Sequence, residues 1–77
     1  MNAQAAKLRS AIVKRSLTIS GHRTSVSIED AFWLRLKAFA AKHERSVGAM
    51  IAEIDAAREG ANLSSAIRVY VLENTTQ

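Results

Sequence analysis

The 77-residue sequence has no cysteine, so neither a disulfide nor a thiolate metal site can brace the fold. It has no proline either. Nothing in it approaches the roughly 18 consecutive apolar residues of a spanning helix. The first ten residues, MNAQAAKLRS, lack the apolar centre of a secretory signal, and a cytoplasmic location is the expectation. The most informative absence is acidic. No Asp or Glu stands before Glu29. Residues 1–28 carry Lys7, Arg9, Lys14, Arg15 and Arg23, a net charge of +5, whereas residues 29–77 carry six bases and seven acids, a net charge of −1. A field concentrated at one end suits a polyanion: nucleic acid or an acidic surface.

Catalytic chemistry finds little to work with. His22 and His43 are the only side chains that titrate near neutrality, and they fall on different elements. No His, Asp or Glu cluster has metal-ligand spacing. The phosphate-loop, nucleophile-elbow and zinc-protease motifs are missing. Ser64-Ser65 has no neighbouring base to activate a hydroxyl and reads as the first turn of a helix. No enzyme, cofactor or metal is expected.

What is present suggests a small folded domain. Apolar residues make up 48% of the chain, enough to argue against general disorder. A chain this short buries a modest fraction of its surface, so a core shared between protomers is expected. Residues 1–11, Ala-rich with two basic side chains, read as a flexible basic arm, and residues 12–74 as the domain.

Residues 12–19, IVKRSLTI, alternate partly. Val13, Leu17 and Ile19 share one parity, which Arg15 breaks. A short strand and an extended arm both fit. Ser20-Gly21 is a turn. In residues 22–28, HRTSVSI, His22, Thr24, Val26 and Ile28 point one way, and Arg23, Ser25 and Ser27 the other.

A helix over about 29–43 follows, with Ser27 as expected N-cap, acids in its first turn and Phe32, Leu36, Phe39 and Ala40 on one stripe. Lys42 and His43 suit its C-terminal dipole. Ser46 caps a second helix with the stripe Val47, Met50, Ile51, Ile54 and Ala57, stopped near Gly60. Asn62 caps a third, LSSAIRVYVLE, whose IRVYVL core could also be read as a strand. Helix is favoured by Asn62 and by the even apolar coverage. Trp33, Phe32 and Phe39 read as core or interface residues, not as a base-stacking platform. Asp55 has Arg58 and Arg68 as candidate ion-pair partners.

One strand cannot stand alone, because its backbone groups need a partner. The 12–19 segment of the same chain is one candidate. The same strand of a second protomer, antiparallel about a two-fold axis, is the other. The second would leave Arg23, Ser25 and Ser27 of both copies on a two-stranded ribbon of a width that fits the DNA major groove.

The run TSVSIEDAFWLRLKAFAAKHERSVGAMIAEI, Thr24 to Ile54, resembles the ribbon-helix-helix repressors of the Arc and methionine-repressor type. With KRSLTISGHRTSVSIEDAFW and MIAEIDAAREGANLSSAIRVYVLE, the likeness extends from Lys14 to Glu73 and looks like that of a bacterial ribbon-helix-helix subfamily. It implies a mostly α homodimer with a short intermolecular antiparallel ribbon and an additional C-terminal helix. It implies a sequence-specific transcriptional regulator bound to double-stranded DNA. Arg23, Ser25 and Ser27 would contact bases, with Arg23 the strongest discriminator. Arg45, Ser46 and Val47 at the second helix N-terminus would hold a phosphate. If 12–19 is an arm, Lys14 and Arg15 would follow the backbone. The dimer core would hold Val26, Ile28, Phe32, Leu36, Phe39, Met50, Ile51 and Ile54.

The sequence departs from the simplest members in its segment 12–19, its third helix and its two serines on the reading face. If 12–19 pairs beside the ribbon, a four-stranded sheet would be too wide for the groove. An antitoxin-like or protein-interaction module, docking a partner through residues 63–72, is the alternative. A structural homodimer without nucleic acid is a third.

Overall fold

The computed structural model describes residues 10–75, and the expected arm over residues 1–11 lies almost wholly outside that range. Two strands, β1 (Ile12–Ile19) and β2 (His22–Glu29), precede three helices, α1 (Asp30–Lys42), α2 (Val47–Ala57) and α3 (Leu63–Thr75). Of the two forms the sequence allows for residues 12–19, the strand is realised. Of the two partners it allows for β2, the one in the same chain is realised. The strands form an antiparallel two-stranded sheet with register Ile12↔Glu29 through Ile19↔His22. Their link is the two-residue loop Ser20-Gly21, with positive φ at both positions, 52° and 83°. That is the signature of a type I′ turn, whose twist matches the twist of the strands it joins.

The hairpin continues further toward α1 than the helix-start signal suggests. Ser27 is not the N-cap. It pairs with Lys14 inside the ladder, and the extended backbone runs on to Glu29 (φ −61°, ψ 142°). Glu29 occupies the cap position and makes no side-chain capping bond. The first N–H of α1 is satisfied by backbone instead, since Asp30 N–H donates to the Ala11 carbonyl at 3.0 Å.

The other helix signals hold locally. Ser46 Oγ accepts from Ala49 N–H at 3.0 Å, and Asn62 Oδ1 accepts from Ser65 N–H at 2.8 Å. Glu59 and Gly60 turn the chain after α2 with φ of 38° and 92°, Gly60 taking the left-handed position that other residues adopt at a steric cost. IRVYVL is helical. His43 ends α1 and lies with its ring 4.4 Å from that of Phe39.

The inner face of the hairpin packs on the helices, β1 against α2 and β2 against α1 and α3, and the three helices touch one another. Ile19, Val26, Ile28, Leu36, Ala40, Met50, Ile51, Ile54, Ile67 and Val71 form the buried core, and no polar side chain among the described residues is buried with them. Val26, Ile28, Leu36, Met50, Ile51 and Ile54 are buried by one chain alone, while Phe32 and Phe39 are half-buried at its margin. Ile19 of β1 and Ile67 and Val71 of α3 belong to the same buried core.

Candidate nucleic-acid interface

Alternation in both strands sorts the hairpin into two faces. Leu17, Ile19, Thr24, Val26 and Ile28 turn inward and are buried or half-buried. Lys14, Ser16, Thr18, Arg23, Ser25 and Ser27 turn outward, and all six are exposed. The register sets these six in three cross-strand rows: Thr18 beside Arg23, Ser16 beside Ser25, and Lys14 beside Ser27. The result is a ribbon face with two cations, four hydroxyls and no acid. Lys14 and Arg23 form no ion pair or side-chain hydrogen bond among the described residues.

The fourth row, Ile12 beside Glu29, is different. Glu29 is clamped by Arg68 of α3, with Nε to Oε1 at 2.8 Å and Nη2 to Oε2 at 3.3 Å. The hydrogen-bonded guanidinium holds the Glu29 carboxyl below its ordinary pKa, helped by a bond from its own backbone N–H and by attraction to Arg68, against a smaller opposing effect of desolvation. The lone acid at this end of the ribbon therefore stays ionised and is neutralised within the fold.

Arg15 occupies an apolar-parity position for a reason the sequence does not reveal. It turns inward, donates from Nη2 to Asp30 Oδ1 at 2.9 Å and places its guanidinium 4.5 Å from the centre of the Trp33 ring. Its Nη1 is buried without an acceptor, on a side chain that also stacks over the indole. Arg15 thereby ties the start of β1 to the start of α1. Lys14, its neighbour, stays on the outer face.

The start of α2 is exposed at Arg45 and Ser46 and half-buried at Val47. Ser46 spends its hydroxyl on the cap, and Arg45 is paired with Glu53. Asp55 pairs with Arg58 at 2.7 Å, and Arg68, its other candidate partner, goes to Glu29. His22 closes the hairpin opposite Ile19 and is exposed.

The ladder also has a definite phase. The Asp30-to-Ala11 bond continues a series in which even-numbered residues of β2 direct their backbone groups to β1. Arg23, Ser25 and Ser27 therefore direct theirs to the outer edge. There the Ser27 carbonyl accepts from Ser64 Oγ at 2.8 Å. Nearer the tip, Asp55, Arg58 and Leu63 stand across a groove from Arg23 and Ser25. Ser64 is a residue that sequence reasoning missed. Its role spans 37 positions, and no local pattern announces it. Ser16 and Thr18 lie on the parity opposite Leu17 and Ile19 and acquire their setting from β2.

Among the described residues, no three His, Cys, Asp or Glu side chains converge as a metal site, and no helix is long and apolar enough to cross a membrane. Among known families, the ribbon-helix-helix domain matches the chain over residues 12–75. No curated protein and no solved structure matches the chain.

Proposed function

The chain belongs to the ribbon-helix-helix domain family, and we propose that it serves as a sequence-specific DNA-binding transcriptional regulator that reads the major groove with the outer face of its ribbon. Such domains are in general DNA-binding regulators or antitoxins, and β-ribbons are established readers of grooves. The observation that carries the reading is an outer face whose three rows nearest the tip hold no acid and two cations, Lys14 and Arg23, unpaired among the described residues, while Glu29 of the fourth row is clamped by Arg68. The polar, positively charged outer side chains of the ribbon take no part in the buried core. They match a groove lined by phosphates and base edges.

Arg23 is the discriminating residue, because a guanidinium can take both acceptors of a guanine edge. Ser25 and Ser27 are shorter and reach bases through water. Ser27 is free of the capping duty that would have competed for its hydroxyl. Ser46 and Val47, with Arg45 beside them, hold a phosphate at the α2 N-terminus. The regulator acts as a homodimer. Exposed Ile12, Val13 and Leu34 and half-buried Phe32 and Phe39 offer apolar surface for a second copy.

Fluorescence anisotropy of the full chain on labelled duplex, titrated with salt, tests the proposal. Affinity should fall steeply as salt rises, and Arg23→Ala should weaken binding to a preferred sequence more than to an unselected one. Binding that ignores both salt and Arg23 would overturn the assignment.

Exposed Val69 and Leu72, at 52% and 61% of their full accessibility, favour a second reading in which α3 also meets another protein. Sedimentation of Val69→Lys beside the wild type distinguishes a face used for self-association from one reserved for a different partner.

A further inference from the structure

We infer that Arg68 of α3 sets how strongly the ribbon is drawn to DNA without touching the duplex, by cancelling the charge of Glu29 where the ribbon meets α1. The inference rests on the DNA-reading proposal and adds to it a positioning residue that lies outside the ribbon.

Glu29 has the wrong sign for its place. It continues the parity of Arg23, Ser25 and Ser27 along β2. A phosphate approaching the ribbon would be repelled by a bare carboxylate there, since exposed charges act on one another over about 10 Å at roughly 0.1 M salt. The fold does not leave the carboxylate bare. Arg68 holds both of its oxygens, with Nε on Oε1 at 2.8 Å and Nη2 on Oε2 at 3.3 Å. A planar guanidinium makes this two-point contact, and an ammonium does not. Arg68 is the one basic residue of α3, and it reaches across 39 positions of sequence to do so.

Stability alone gives little reason for the pair. Both side chains are partly exposed, 34% for Arg68 and 27% for Glu29, and ion pairs so placed contribute little to folding. The neighbouring acid is treated alike, because Arg15 Nη2 lies 2.9 Å from Asp30 Oδ1. Two arginines from two different elements thus neutralise the two acids at the junction of β2 and α1. No other acid stands in the sequence before Glu44, which lies beyond the end of α1 at Lys42. With Glu29 and Asp30 cancelled, the positive charge of the ribbon meets a polyanion undiminished.

The experiment measures fluorescence anisotropy of the full chain on a labelled mixed-sequence duplex across a series of salt concentrations. Arg68→Met keeps an apolar stem and uncovers Glu29. It should weaken binding roughly three- to tenfold at low salt, with the loss shrinking as salt rises. Glu29→Gln keeps the shape of the side chain and frees the Arg68 charge, so binding should tighten by a similar factor. The double variant, Glu29→Gln with Arg68→Met, should bind like the wild type. Glu73→Gln makes the same charge change more than a turn further along α3 and should move binding far less. Circular dichroism and the thermal midpoint show that each variant is folded, and Glu29→Gln carries the test alone if Arg68→Met does not fold.

The inference is overturned if the double variant binds as weakly as Arg68→Met, because Arg68 would then touch the duplex itself. It is overturned if Glu29→Gln weakens binding, because the pair would then act by holding the fold. Equal gains from Glu73→Gln and Glu29→Gln would overturn it too, since net charge would explain both. A wild-type chain that binds the duplex with no response to Arg68→Met defeats the inference and leaves the DNA-reading proposal standing. A wild-type chain that does not bind duplex defeats that proposal and the inference with it.

Discussion

The two faces of the hairpin share a backbone and differ in everything else. The inner face holds Ile19, Val26 and Ile28 at 6%, 2% and 0% accessibility. The outer face holds four hydroxyls and two cations in water. Residues one position apart in sequence therefore answer to different demands. Ile28 answers to packing, where a missing methylene leaves a void. Ser27, its neighbour, answers to whatever approaches from outside. The contrast teaches that in this chain the residues that build the core and those proposed to recognise DNA are separated by parity rather than by distance.

The largest test of that separation is Ile28→Ala. Deleting a fully buried side chain should cost about 2–5 kcal/mol, read by denaturant unfolding, whereas Ser27→Ala should change stability by no more than about 0.5 kcal/mol. A large loss at Ser27 would show that the faces are not independent. Next comes Arg23→Ala. It should cost about 1–3 kcal/mol in binding to a preferred duplex, with the unfolding midpoint unmoved.

The adjacent cations Lys14 and Arg15 sharpen the comparison further, because they carry the same charge to opposite faces. Arg15→Ala should lower stability by about 1 kcal/mol through loss of its indole stacking and its partly exposed ion pair. It should leave the salt dependence of DNA binding as it was, while Lys14→Ala should do the reverse. Exchange of those two outcomes would invert the assignment of faces.

The smallest effect concerns Glu29. Its pKa is lowered in the fold by Arg68, so its contribution is present above the unfolded-state value and is lost as pH falls through the folded-state value. Acid unfolding should therefore show a modest loss of stability below the ordinary carboxylate range, and Glu29→Gln should flatten that part of the profile.

Much of the fold was legible because its signals are local. Ser46, Asn62 and Gly60 announce helix ends within four residues of their effect. Alternation in HRTSVSIE placed Val26 and Ile28 inward from spacing alone. The partner of β2 was not legible, since pairing depends on residues far along the chain and one strand's pattern fits either candidate. Ser27 shows how a local rule can lose. Its S-x-x-D spacing is a genuine cap signal, but ladder pairing with Lys14 and the Ser64 bond at its carbonyl keep the backbone extended. Arg15 is the same lesson on the other strand: its inward turn depends on Asp30 and Trp33, fifteen and eighteen residues away. For the candidate interface, the sequence marked Arg23, Ser25 and Ser27 as outward, but not the row that faces each of them.

The two-residue loop at Ser20-Gly21 has a consequence for how such a protein can change over generations. Under the proposed function, a substitution at any of the six outward positions would alter what is recognised and leave the interior alone. An insertion at the tip that slid β1 by one residue would send Lys14, Ser16 and Thr18 into the interior and expose Leu17 and Ile19. The outward letters are therefore free to mutate, while the length of the loop that sets them in phase is not.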